Sequence, residues 1–281
     1  MTKNVLNGTR KIPQITSVVT KPVKQETDQE ILQKLTERFS AMDLMTENTL
    51  NGVNRSLIVS GPAGLGKSYG IMKMADAFMN DKSKQVTIIK GFVRPTGLYK
   101  TLYENRHAHC VVIFDDADSI FTDDVSMNLL KAACDMTEKR HLHWLAETNM
   151  KDEDDERLPR NFEFEGSIIF ITNYDFDDFI QRGNRLAPHF QALISRSIYL
   201  DLEMKTARDY MIRIQQVLPL MLVDLKLSQA DGVVLMNFIE KNCEKLRELS
   251  LRMVVKLATI YKMNRVTWES LARVTCFKNK A

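Results

Sequence analysis

The chain has 281 residues, 44% of them hydrophobic, and a formal net charge of +3. Its apolar content suffices for one large domain or two smaller ones, and no apolar run approaches the roughly 18 residues that a membrane helix needs. Cys110, Cys134, Cys243 and Cys276 stand singly, without C-x-x-C spacing, which argues against a disulfide framework or a zinc site.

Charge is unevenly spread. Lys3, Arg10, Lys11, Lys21 and Lys24 have no acid among them, and residues 205–281 carry 14 Lys/Arg against 7 Asp/Glu. The middle of the chain is therefore acidic. Basic ends of this kind suit a nucleic-acid backbone, the acidic body of a neighbouring copy, or plain solvation. The N-terminus has no apolar signal core, so a cytoplasmic location is expected, the host cytoplasm if the source is viral.

In chain order, residues 1–25 read as a polar, basic N-terminal arm, with Pro13 and Pro22 and little periodicity. Thr27 to Met45 reads as a helix, because Ile31, Leu32, Leu35, Phe39, Met42 and Leu44 recur near the helical period. Ser56 to Ser60 is a short apolar run of strand length. It leads into Gly61-Pro62-Ala63-Gly64-Leu65-Gly66-Lys67-Ser68, a complete G-x-x-x-x-G-K-[ST] sequence. Its glycines let the backbone curl so that N–H groups face phosphate oxygens. Lys67 supplies a charge to the β- and γ-phosphates, and Ser68 a hydroxyl to Mg²⁺. An apolar-periodic helix from Tyr69 to Met79 follows, with its N-terminus toward the phosphates. Gly61 to Tyr69 is thus the expected nucleotide-contacting segment.

Further strand-length runs lie at 85–90, 110–114, 167–172 and 197–202, with helical patterns between them. That alternation predicts an α/β fold: a five-stranded parallel sheet covered on both faces. Residues 111–116 read Val-Val-Ile-Phe-Asp-Asp. A buried strand ending in two acids, about 50 residues after a phosphate loop, is the loop's natural companion: Asp115 to hold Mg²⁺ beside Ser68, Asp116 to polarise the attacking water. His107, His109 and Cys110 cluster, but Cys110 opens an apolar strand and reads as core. Arg140 to Trp144 is basic and aromatic, yet its alternation also fits a half-buried strand. Asp152 to Glu156 reads as a solvated acidic loop. After Leu202 strands cease. Helical patterns near 205–225, 228–246, 250–263 and 267–275 follow, with Ser228, Ser250 and Thr267 as candidate N-caps. The simplest partition is an arm (1–25), a nucleotide-binding α/β domain (26–203) and a small all-helical lid (204–281).

The phosphate loop with its paired acids resembles the AAA+ ATPase family over about residues 26–275. The resemblance implies ATP and Mg²⁺ as ligands, and a homo-oligomer, a ring of about six. It aligns Asn173, after Ile168 to Thr172, with the residue that orients the attacking water (sensor 1). Arg196, just before the last strand, aligns with the arginine finger that reaches a neighbour's γ-phosphate; Arg182 and Arg185 are weaker candidates. Arg252, in the first turn of the third lid helix, aligns with sensor 2. A cation there opposes the helix dipole unless a phosphate is near. The family's usual second acid is Glu, and Asp116 is one methylene shorter, which points to slow or partner-stimulated turnover. The chain is also similar to an uncharacterised AAA+ group of bacteriophages and mobile elements. No N-K-x-D guanine-reading sequence occurs, so ATP is expected over GTP. Gly91-Phe92-Val93 contains the residue types of the family's substrate-gripping loop, in a different order. Phe92 could equally end the strand in the core, and Lys90 and Arg94 would suit an anionic backbone. The remodelled partner is left open between a nucleic-acid or replication-type assembly and an unfolded protein. A nucleotide-gated scaffold with little turnover is the third reading.

Overall fold

The protein was analysed as a computed structural model that describes residues 26–279, apart from 147–149 and 152–154. The basic arm and the centre of the acidic run lie outside the described residues. Five parallel strands form the main sheet: β1 (Ser56–Ser60), β2 (Gln85–Lys90), β3 (Cys110–Asp115), β6 (Ser167–Ile171) and β7 (Ile198–Asp201). Their order across the sheet is β2-β3-β6-β1-β7, within a residue or two of the runs read from sequence. The remaining two strands, β4 (His141–His143) and β5 (Asn161–Glu163), pair antiparallel in a separate hairpin.

Successive strand side chains point to opposite faces, and the core divides accordingly. Ile58, Val112, Phe114, Ile168 and Phe170 face one cluster. It is completed by α3 (Pro95–Glu104), α4 (Asp124–Ala133), α5 (Phe176–Gln181) and α6 (Ala187–Ile194). Leu57, Val59, Val111, Ile113, Ile169 and Ile171 face the other, against α1 (Asp28–Leu50) and α2 (Lys67–Phe78). Both faces are covered, which is why these strands are almost uninterruptedly apolar. Cys110 is buried in its strand, and among the described residues no group of three or more His, Cys, Asp or Glu could hold a metal.

The α1 helix runs five residues beyond the expected Met45. Its start is fixed by a capping box between Thr27 and Glu30. The C-terminal helices are α7 (Ala207–Asp224), α8 (Gln229–Asn242), α9 (Leu251–Met263) and α10 (Trp268–Cys276). They share their own hydrophobic cluster, centred on Leu235, Val254, Leu257 and Ala258. Ser228 and Ser250 cap as expected, accepting from the N–H groups of Asp231 and Met253. Thr267 does not cap α10. The Asn264 side chain, three residues earlier, accepts from the Val266 and Thr267 N–H groups and turns the chain instead.

The hairpin resolves the reading of residues 140–144 in favour of a strand. Leu142 is buried between exposed His141 and His143. Arg140 is itself buried, donating to the carbonyls of Ala133 and Gly166 with its guanidinium over the Phe164 ring. Burial pulls it down to about 10. It anchors the base of the hairpin and presents no cationic surface. Among the described residues no helix is long and apolar enough to cross a membrane.

Candidate nucleotide site

Every strand of the main sheet runs the same way, so the carboxyl ends of β1, β3 and β6 meet at one edge. The 61–68 loop leaves β1 there and opens α2. Gly66 sits at the helix N-cap with φ +95°, and Gly64 has φ +77°; only glycine takes such values without strain. The Lys67 side chain is buried and folds back into the loop. Its ammonium donates to the Gly61 carbonyl at 2.5 Å, the Pro62 carbonyl at 2.9 Å and Asn173 Oδ1 at 3.1 Å. Burial lowers its pKa to about 8, with Asp116 pulling the other way and Arg252 adding to the fall.

Asp115 ends β3 and Asp116 follows it. The Ser68 hydroxyl donates to Asp115 Oδ1 at 2.7 Å, so the two residues expected to hold a metal already touch. Asp115 Oδ2 lies 2.9 Å from Lys90 Nζ, its register neighbour at the end of β2. Lys90 is thereby committed to the site, a departure from its expected role on an anionic backbone. Asp116 is exposed, with φ +53°, and its N–H donates to the Ile171 carbonyl. That bond turns its carboxylate toward Asn173, whose Nδ2 donates to Asp116 Oδ1 at 2.9 Å. A single amide therefore bridges the loop lysine and the second acid, its acceptor toward the ammonium and its donor toward the carboxylate. This requires β6 to lie between β3 and β1, as it does.

Two neighbours were missed in the sequence. Asp118 accepts from the Thr172 hydroxyl at 2.6 Å, and burial raises its pKa, with Asp116 adding to the rise. Thr172 also accepts from the Tyr174 N–H, so this pair fixes the chain on either side of Asn173. The signal was a third acid, two residues after the paired ones.

The helical segment closes on the loop from the other side. The Leu251 N–H donates to the Gly64 carbonyl at 2.8 Å. A Cβ on Gly64 would stand 2.7 Å from Ser250 Cβ and 3.6 Å from Arg252 Cγ. Arg252 is thus beside the loop, where the cations of two elements converge. The exposed Tyr69 donates from its hydroxyl to Asp224 on α7 at 2.7 Å. A groove of about 470 Å³, lined by Pro62, Ala63, Tyr210 and Ser250 among others, runs along this junction.

Arg196 is not in this constellation. It lies at the amino end of β7, where its carbonyl accepts from the Ser56 hydroxyl at the start of β1. A five-residue strand separates it from the loop, about 13 Å at 3.3 Å per residue. It is half-buried, its Nε 3.3 Å from Asp135 Oδ2 and its Nη1 bonded to the Ala192 carbonyl. Arg182 pairs with Asp178 and Arg185 with Asp124. Phe92, open between core and surface in the sequence, is 77% exposed beyond the end of β2, and the following Val93 is pinned by Ser119.

The donor set fits a nucleoside triphosphate with a divalent cation. The loop's glycines leave no Cβ over the cradle, the buried ammonium is satisfied by carbonyls where phosphate oxygens would serve it better, and the Ser68–Asp115 pair offers hard oxygen ligands.

Comparison with known proteins agrees with this geometry. The AAA family (ATPase family associated with various cellular activities) matches residues 57–172. An uncharacterised 36.7 kDa protein encoded between nrdC and mobD in Enterobacteria phage T4 is 36% identical over 250 residues, covering 88% of this chain and 76% of that protein. Among solved structures, NtrX from Brucella abortus in complex with ADP has a TM-score of 0.50 at 10% identity, covering 86% of this chain. The chain spans about half of NtrX, 52%. A RuvB mutant from Thermotoga maritima has a TM-score of 0.44 at 13% identity, covering 86% of this chain and 68% of that one.

Proposed function

The chain belongs to the AAA+ ATPase family, and on that premise we propose that it is a Mg²⁺-dependent ATPase that works as a homo-oligomer, a ring of about six, to move a macromolecular partner. One observation carries the catalytic part of the reading: the Lys67–Asn173–Asp116 bridge. A buried cation, an oriented amide and a carboxylate in sequence are what phosphoryl transfer to water asks of a protein, namely charge where the phosphates lie and a base where the water enters.

Lys67 holds its proton toward the β- and γ-phosphates. The N–H groups of Gly64 to Tyr69 bind phosphate oxygens at the N-terminus of α2. Ser68 and Asp115 would hold Mg²⁺, which when bound neutralises phosphate charge. Asp116 accepts a hydrogen bond from the attacking water and takes its proton. Asn173 orients that carboxylate. Arg252, brought over the loop by the cap of α9, adds charge from residues 204–281, which this reading treats as a lid on the 26–203 body. Arg196 is too far from its own loop to act there, which supports a role at the site of a neighbouring copy.

For the partner, the basic composition of residues 205–281 supports a nucleic acid, and a role in replication-type assemblies follows from that. Exposed Phe92 favours a second reading, an extended protein gripped by an apolar side chain. The shorter second acid supports a third, a nucleotide-gated scaffold. One experiment separates them: ATP turnover of the intact chain alone, with single-stranded DNA, with duplex DNA and with an unfolded protein. Stimulation by DNA that survives Phe92→Ala is expected for the first reading. Stimulation by unfolded protein that Phe92→Ala removes selects the second. No turnover under any condition, with nucleotide bound, leaves the scaffold.

A further inference from the structure

A cation on α7, Arg213, is unexplained by the motifs. Its side chain reaches from the helical segment to the phosphate loop. The guanidinium carbon lies 3.3 Å from the centroid of the Phe39 ring on α1. Nη1 donates to Gln216 Oε1 at 2.7 Å and Nη2 to the Leu65 carbonyl at 3.4 Å. The Nε–H is buried with no acceptor. Among the described residues no carboxylate lies within ion-pair distance of it, and Asp43 acts on it only through space. Burial pulls Arg213 down to about 10 and pushes Asp43 up.

A planar donor group held half-buried, with an orphaned N–H and no paired carboxylate, is an expensive thing to leave incomplete. Its position suggests what completes it. Nη2 lies 3.9 Å from the point where a Cβ on Gly66 would stand, and Gly66 is the N-cap of α2, where loop N–H groups gather. The Phe39 ring fixes the guanidinium plane, so its remaining donors need no reorganisation to meet an anion.

We propose that Arg213 is a nucleotide-binding residue: its guanidinium takes a phosphate oxygen of the bound nucleotide on the α7 side of the loop, opposite the side closed by Arg252. The inference rests on the reading of residues 61–68 as the nucleotide site. It also gives α7 a reason to follow the ligand, because a phosphate held by both α2 and Arg213 ties the two elements together.

The test is calorimetric titration of the full chain with ADP and with ATP, comparing parent, Arg213→Met and Arg213→Lys. Thermal unfolding of each without nucleotide accompanies it. Methionine keeps an apolar stem against Phe39 and removes the charge; lysine keeps the charge and loses the fork. The expected result is a loss of ADP affinity of about tenfold or more for Arg213→Met, as for a lost charge-assisted hydrogen bond, and a smaller loss for Arg213→Lys. A residue that only packs lowers the nucleotide-free melting temperature and leaves affinity within twofold of the parent; that outcome overturns the inference. If the methionine variant does not fold, the lysine variant decides, since parent-like affinity there removes the need for a fork. A parent that binds neither ADP nor ATP overturns the phosphate-loop reading itself, whereas a binding parent with unaffected variants overturns only the role of Arg213.

Discussion

Lys67 shows how strongly one side chain is tuned by where it is buried. Its pKa, lowered by burial to about 8, lies below the ordinary 10.5. Between those two values the unfolded chain holds a proton that the folded chain has released. The cost of a buried charge is thus present below pH 8, and this group's contribution to nucleotide-free stability rises as the pH climbs from about 8 to 10.5. Phosphate binding needs the charged form, so affinity should run the opposite way, highest below pH 8 and falling above it. Titrations with ADP at pH 7 and pH 9 should show that fall, and at pH 8.5 calorimetry in two buffers of different ionisation enthalpy should detect proton uptake on binding. Lys67→Ala should abolish binding in a folded protein; retained affinity would sink the loop assignment. Asp116 makes a different prediction. Asp116→Asn should bind ATP like the parent while turnover falls by about 10²–10⁴-fold, as loss of a general base suggests. Parent-like turnover in that variant would make the Asp116–Asn173 bond a purely structural one.

At the level of elements, the contact that matters most is the N-terminus of α9 on the phosphate loop. Gly64 permits it twice over: its φ of +77° is unsuited to a side chain, and a Cβ there would stand 2.7 Å from Ser250 Cβ. Gly64→Ala should therefore push α9 and Arg252 away from the loop. The measurement is ADP affinity beside thermal stability, with affinity expected to drop by more than the modest loss in melting temperature would explain. Equal affinity would mean that α9 has no part in holding nucleotide. The β2 end makes a second link. Lys90 sits on Asp115, Phe92 follows two residues later, and Ser119 holds Val93. The exposed aromatic is thus wired, through short contacts, to the acid expected to hold the metal.

Across the whole molecule, the parallel sheet separates Arg196 from the loop of its own chain. Arg196→Ala should leave nucleotide affinity near the parent value and remove turnover. Mixing decides whether it acts in a neighbour. Arg196→Ala and Asp116→Asn copies, each inactive, should recover activity when combined, because some interfaces then carry an intact Arg196 facing an intact Asp116. Confirmed mixed assemblies with no recovery would return Arg196 to its pairing with Asp135 as a local strut.

The sequence by itself determined the strands, the loop and the paired acids. Each depends on residues adjacent in the chain: an apolar run too short for a helix, glycines where φ must be positive, acids where a strand ends. Ser228 and Ser250 were legible as caps for the same reason, while Thr267 was not, because Asn264 outcompetes it from three residues away. Other features are properties of neighbours in space, and only the tertiary structure decided them. The bridge from Lys67 through Asn173 to Asp116 exists because β6 inserts between β3 and β1. Arg140 turned out to be buried and Phe92 exposed, although composition alone favoured neither. Lys90 found Asp115 across a register, and Arg213 found the loop through the packing of α7 on α1. In each case the deciding quantity is which carbonyl, carboxylate or ring the packed elements bring within hydrogen-bond or van der Waals reach, and one-dimensional spacing carries no record of it.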